Sequence, residues 1–300
     1  MARWRARPAY HSRRVWALLI LLDVLPWPLG EDILAGLFLV VGLARPSRRR
    51  RALNLARSIG HDRPWRVAAA QCAFLGRWVA RMYLLGIRRP EDLRRILVTE
   101  GAHNLDGVPG PAILLGFHLG PPGGDVIFRT LGVAATYLGW RDRDATLAWW
   151  SEEWRPFARS APLSRARGER DNWPAVLYQG RQILLDGGKV HIRADGEGRE
   201  VFRLPLSIGE FPIAAGWLTL HRLTGAPVVP VLHHLDGRRQ VVAISPALPA
   251  VNLDRPEGVG VWRERLTDLV EDYLRRFPEQ CPHLALVIDP ATRPITVASA

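Results

Sequence analysis

"PAILLGFHLGPPGGD", residues 111–125, decides how the rest of the chain is read. Ala112 to Leu115 form a short, unbroken apolar run, the signature of a strand covered on both faces. The run delivers Phe117 and His118 to a turn so rich in Gly and Pro that no helix can follow at once. Asp125 then stands just before a new apolar segment, "VIFRTLG", residues 126–132. A histidine at a strand end and an aspartate across a flexible turn allow two readings. The pair is catalytic, or the aspartate caps the next helix.

Similar β-rich runs recur downstream: "VAATYLGW" (133–140), "KVHIRA" (189–194), "APVVPVLHHL" (226–235) and "QVVAIS" (240–245). They alternate with helical stretches near residues 125–131, 144–160, 172–186, 211–224 and 260–277. Apolar strands separated by helices predict an α/β domain whose sheet is mostly parallel or mixed and is flanked by helices. Ligands of such sheets bind beyond the carboxyl ends of the strands, and His118 falls at one. Upstream, residues 52–98 carry helical periodicity, as in "WRVAAAQCAFLGRWVARMYLLG" (65–86). The expected division is an N-terminal segment, residues 1–50, and an α/β domain over residues 51–300, helical at 52–98 with its core at 111–290.

The N-terminal segment has its own character. "VWALLILLDVLPWPLGEDILAGLFLVVGLA", residues 15–44, consists of two apolar arms. Pro26, Pro28, Gly30, Glu31 and Asp32 interrupt them. Neither arm reaches the roughly 20 uninterrupted apolar residues of a spanning helix. No small-residue cleavage site follows that would mark a signal peptide. The expectation is a helical hairpin or one broken helix that lies in or dips into the membrane, with a buried helical pair as the alternative. Arginine flanks both ends and places them on the cytoplasmic side.

Charge supports the membrane rather than nucleic acid. The 300 residues carry a net +12, with a pI near 11.0, but Lys189 is the only lysine among 41 basic residues. An arginine skew of that kind reflects genome composition as much as ligand. What remains is the uneven layout: "ARWRAR", "HSRR" and "RPSRRRRALNLAR" flank the apolar stretch instead of covering a recognition helix. That placement suits an anionic bilayer surface, and no nucleic-acid-binding motif accompanies the charge. Cys72 and Cys281 are too few for a disulfide framework or a thiolate metal cluster, and each reads as a small buried hydrophobe.

The order of motifs resembles that of the bacterial lipid A biosynthesis (late) acyltransferases, within the wider glycerolipid acyltransferase group. "RRRRALNLARSIG" (48–60), "PAILLGFHLG" (111–120), "KVHIRADGEG" (189–198) with "VFRLPLSIG" (201–209), "LTGAPVVPVLHHLDGRRQVVAISPAL" (223–248) and "EDYLRRFPEQ" (271–280) are each similar to a segment of that family, in the same order. The resemblance implies transfer of a fatty acyl group from acyl carrier protein, or acyl-CoA, to a hydroxyl of a lipid A-like glycolipid. It places the enzyme at the cytoplasmic side of the inner membrane. It implies neither a cofactor nor a metal. Acylation of another glycolipid or phospholipid, such as a phosphatidylinositol mannoside, is the alternative within the class. A lipid-binding member without catalysis is the alternative outside it.

A hydroxyl is a weak nucleophile at neutral pH, so a base must take its proton during attack on the thioester. The resemblance gives that task to His118. In the family a carboxylate stands five positions after the histidine. Here that position is Gly123, and the nearest carboxylate is Asp125, two residues later. The glycines of "PPGG" would let the chain fold back, so Asp125 is the expected orienting partner of His118, with the helix cap as its other reading. Asp195 matches the family's strand-end aspartate. On an extended strand it shares a face with Arg193 and His191. Asp195 and Arg193 are therefore expected to line the acceptor's polar head, an Asp-Gly turn being the alternative for Asp195. Arg155 and Arg159, in "EEWRPFARS" (152–160), are candidates for the family's anion-binding arginine. His233 and His234 are adjacent, hence on opposite strand faces, and read as structural.

Overall fold

The computed structural model describes residues 25–87, 94–121, 127–128, 130–138, 173–195, 201–282 and 284. Arg155, Arg159 and Asp125 lie outside the described residues. So do residues 15–24, the first apolar arm.

Among the described residues three helices come first: α1 (Trp27–Ala44), α2 (Pro46–Ser58) and α3 (Pro64–Ile87). Each opens with a proline in its first turn, where a missing N–H costs nothing and the fixed φ favours the helix. Of the interruption expected from Pro26 to Asp32, only Pro26 lies outside the helix, with an extended backbone just before it. Pro28 starts a helix instead of ending one, and Gly30, Glu31 and Asp32 lie inside it. The two acids are held by partners. Arg81 of α3 donates through Nε to Glu31 at 2.8 Å, with both side chains buried. Its Nη2 bonds the Arg238 carbonyl at 2.8 Å, while Asp32 pairs with the Arg238 guanidinium at 2.8 Å. An ionic staple thus ties α1 to α3 and to the turn after residue 236. The opposite face of α1 is exposed and apolar: Leu29, Ile33, Leu37, Val40 and Val41 recur at helical spacing. The helix is long and apolar enough to cross a membrane by length and composition.

The main sheet holds β1 (Leu97–Glu100), β2 (Ala112–Gly116), β3 (Ala135–Leu138), β4 (Lys189–Arg193), β7 (Val228–Asp236) and β8 (Arg239–Ile244), in the order β1-β8-β7-β2-β4-β3. Strands β7, β2, β4 and β3 run parallel, and β8 turns back antiparallel to β7 with β1 alongside it. The α/β class with a mixed, mostly parallel sheet is as expected from the sequence. Helices α4 (Trp173–Leu185), α5 (Gly216–Thr224) and α6 (Pro256–Arg276) complete it. One face of the sheet, with Ile113, Leu115, Val190, Ile192 and Val228, joins the core that holds Trp217 and Trp262, whose rings stack 5.7 Å apart. The other face carries Ala112, Leu114, Val229 and Val231 with Phe128.

Two expectations are corrected. Residues 211–224 are not one helix. Val201–Leu206 (β5) and Gly209–Ala214 (β6) form an antiparallel hairpin, and α5 begins only at Gly216. Exposure alternates along β5, with Phe202, Leu204 and Leu206 inward, which is the period of a strand. Ser207 in the turn donates its N–H and hydroxyl to the Glu271 carboxylate, fastening the hairpin to α6. The second correction is β1, which lies where helical periodicity was expected to run to residue 98. It pairs with β8 from Leu97 to Glu100. Lys189, the lone lysine, opens β4 and donates Nζ to the Gly110 carbonyl at 2.8 Å.

Candidate active site

The site grows from the register of two neighbouring strands. β2 and β4 are parallel, with Gly116 opposite Arg193, so residues two beyond each, His118 and Asp195, emerge side by side. Phe117 and Leu119 are anchored in the core, which turns the histidine between them away from it. The ladder continues past the strands through Ala194 N–H to the Gly116 carbonyl at 2.9 Å.

His118 and Asp195 are joined twice. The His118 backbone N–H donates to Asp195 Oδ2 at 2.6 Å, and Nδ1 lies 2.8 Å from Oδ1. The carboxylate is buried, with 2% of its side chain exposed, whereas the imidazole is 35% exposed. A buried carboxylate on Nδ1 selects the tautomer with its proton there, which puts the ring's lone pair on Nε2. The sequence reading gave this orienting position to Asp125. The carboxylate found there is that of Asp195, and 77 residues separate it from His118 in the chain. The expectation that Asp195 lines the acceptor's polar head gives way to its two bonds with His118. Arg193 is half-buried at the end of β4, and its charge is felt by both His191 and His233.

Beneath the pair lies a layer that the sequence reading did not assign to the site. His191 of β4 and His233 of β7 are buried, and none of their ring nitrogens has a hydrogen-bond partner among the described residues. Phe128 meets both rings edge-on, His191 at 5.0 Å and His233 at 6.3 Å. Burial, reinforced by the Arg193 charge, holds His191 well below the usual histidine pKa and takes His233 down to about 3. Both are neutral at physiological pH. His191 also explains Gly116, because a Cβ there would stand 2.8 Å from His191 Nε2. His234, on the opposite face of β7, stacks on Phe277 at 4.2 Å.

The loop carrying His118 is tied down from the far end of the chain. Gly120 donates to the Gln280 carbonyl at 2.9 Å. The Gln280 side chain pairs both backbone groups of Leu235, accepting at 2.7 Å and donating at 3.0 Å. The Tyr273 hydroxyl donates to the His233 carbonyl at 2.6 Å. The "PEQ" turn that follows α6, Pro278–Gln280, is thus a clasp between β7 and the histidine loop. Among the described residues no group of three or more His, Cys, Asp or Glu is placed to hold a metal ion. Cys72 and Cys281 are free and buried, as expected.

No protein-family model matches the chain, and no curated protein sequence matches it. Among solved structures it aligns with the 1-acyl-sn-glycerophosphate (LPA) acyltransferase, PlsC, from Thermotoga maritima, at a TM-score of 0.41 and 13% identity over 86% of this chain and 95% of that one. A likeness of that depth says nothing about what this chain does.

Proposed function

We propose that the protein is a membrane-associated acyltransferase that moves a fatty acyl group from a thioester donor to a lipid hydroxyl. The doubly bonded His118–Asp195 pair, at the carboxyl ends of adjacent parallel strands, carries this reading. The motif order described above supports it. Nε2 of His118 takes the proton of the acceptor hydroxyl as its oxygen attacks the thioester carbonyl. Asp195 holds the tautomer and stabilises the imidazolium that forms. The tetrahedral intermediate collapses with cleavage of the C–S bond, and the imidazolium returns its proton to the departing thiolate. An ester and a free thiol result, with no covalent acyl-enzyme. Arg193 supplies positive charge beside the pair, suited to an anionic group on the acceptor or to the developing oxyanion.

Within this class we assign the acceptor to the glycolipids, lipid A-like, with acyl carrier protein or acyl-CoA as donor and the inner membrane's cytoplasmic face as location. Another glycolipid or phospholipid, such as a phosphatidylinositol mannoside, is the alternative acceptor. The test is total-lipid mass spectrometry of cells with and without the protein, and with the His118→Ala variant. A lipid class heavier by one acyl group, present only with the parent protein, is expected and would identify acceptor and chain together. An unchanged lipid profile would replace catalysis with lipid binding.

A further inference from the structure

A groove of about 660 Å³ lies between α2 and the start of α3, lined by Ser47, Arg50, Leu53, Asn54, Arg57 and Trp65, and it shares no residue with the His118–Asp195 pair. Its chemistry is specific. Arg50, Leu53, Asn54 and Arg57 recur at three- and four-residue spacing, so they form one face of α2. No carboxylate pairs with Arg50 or Arg57 among the described residues, and both are exposed. Ser47 and Asn54 add neutral hydrogen-bonding groups. Trp65 stands half-exposed at the rim. Arg49, at the edge, donates Nη1 to the Leu43 carbonyl at 3.1 Å and so fixes the groove to the last turn of α1.

That junction determines the occupant. The exposed apolar stripe of α1 runs from Leu29 to Val41, where Val40 is 69% exposed, and the groove opens at Pro46, just past the helix end. An apolar stripe on a helix that ends beside a basic pocket with a half-exposed tryptophan suits the layering of a bilayer: acyl chains, then the interface, then headgroup phosphate. An acidic protein would complement the arginines but would leave the stripe and Trp65 facing water. The chain's own first fourteen residues are arginine-rich without a single acid, so they offer no charge complementary to Arg50 and Arg57.

We infer that this groove seats the phosphate-bearing headgroup of an anionic lipid while the α1 stripe lies in the acyl layer. The protein is thereby docked independently of the lipid at its active site. The inference rests on the membrane reading only in placing the chain at a bilayer, and it is tested without turnover, so acyl transfer stands or falls separately.

Full-length protein is sedimented with vesicles of phosphatidylcholine alone and of phosphatidylcholine containing phosphatidylglycerol. Binding to the anionic vesicles is expected to be the stronger. Arg50→Gln with Arg57→Gln should weaken it by about thirty-fold, the sum for two arginines near an anionic surface. The pair Arg265→Gln and Arg275→Gln removes the same charge from α6 and should change it by less than about threefold. Hydrogen exchange should show residues 46–57 protected by the anionic vesicles but not by the neutral ones. Equal loss from both variant pairs would reduce the effect to net charge and overturn the inference. So would equal binding to both vesicles, or protection of residues 46–57 by an acidic carrier protein but not by lipid. Thermal unfolding of the Gln variants at the parent temperature excludes a folding defect.

Discussion

Gly120 lies against the His233 carbonyl so closely that a Cβ would stand 1.7 Å from that oxygen, and its φ of +74° is one that L side chains avoid. Two residues before it is His118. The loop that aims the proposed base is thus seated by a glycine on a neighbouring strand and held there by Gln280 and Tyr273. Gly120→Ala should therefore cost at least about 2 kcal/mol in stability, from left-handed strain together with a backbone clash. Any folded fraction should lose most of its activity, because His118 moves. A thermal midpoint and turnover both close to those of the parent would show that the clasp does not position the base.

His118→Ala should lower turnover by about a hundred-fold or more, the scale expected for removal of a general base. The fold should persist, because this side chain is partly exposed beyond a strand end. Purified protein in mixed micelles, assayed with an acyl thioester and lipid acceptor, supplies the measurement. Activity within about threefold of the parent would place the base elsewhere.

Two carboxylates can be separated by isosteric change. Asp195→Asn keeps shape and one acceptor but removes the charge that stabilises the imidazolium, so a loss comparable to that of His118→Ala is expected. Asp125→Asn should have little effect on rate if Asp195 is the orienting group. The opposite ranking in the same assay would return that role to Asp125.

Acid should unfold the protein in a window set by buried histidines. His191 and His233 are held neutral in the folded chain, far below the usual value of about 6.5 that they regain on unfolding. Below that pH the unfolded state binds protons that the folded state refuses, so stability falls as pH drops from about 6.5 towards 3. At pH 5 the loss is about 2 kcal/mol for His233, and His191 adds to it in the same direction. Thermal midpoints at pH 7.5 and pH 5 measure it, and His233→Leu should reduce the difference. Equal midpoints at the two pH values would show that these rings titrate normally.

A single substitution tests whether α1 is tied into the fold. Glu31→Leu in the full chain keeps α1 over Arg81 and leaves that guanidinium buried without its counter-ion, a loss on the order of 3–5 kcal/mol. Arg81→Met in the same variant should recover much of it, since the unpaired charge is then gone. A Glu31→Leu variant with the parent's thermal midpoint would show that the staple contributes nothing.

What was legible in the sequence follows from distance along the chain. Strands β2, β4 and β7 announce themselves as buried apolar runs, and His118 is marked by its own strand end. The β5–β6 hairpin also has a local signal, the alternation of Phe202, Leu204 and Leu206. The apolar residues from Phe211 through Trp217 hid it by continuing without a break into α5. Strand β1 has no such signal of its own. Leu97 and Val98 extend the helical pattern before them, and only pairing with β8 makes them a strand. Asp195 is the same case at the site. Proximity in sequence favoured Asp125, which lies outside the described residues, whereas Asp195 reaches His118 because β4 lies beside β2. The layer of His191 and His233 is likewise a product of register, since nothing local distinguishes a buried neutral histidine from an exposed one.

The chain's single lysine has a chemical consequence. A lysine near a thioester is a charge when protonated and a nucleophile once it loses that proton, and its free amine can then carry off the acyl group as an amide with release of the thiol. Lys189 sits at the start of β4, about 20 Å along the strand from Asp195 at the spacing of extended backbone, with its amine bonded to carbonyl oxygens. Every other basic side chain that accounts for the excess of positive charge is a guanidinium, which holds an anion firmly yet stays protonated and inert to acylation. If the proposed function holds, the protein handles activated fatty acids with little risk of acylating itself, because its positive charge is almost entirely of the kind that cannot react.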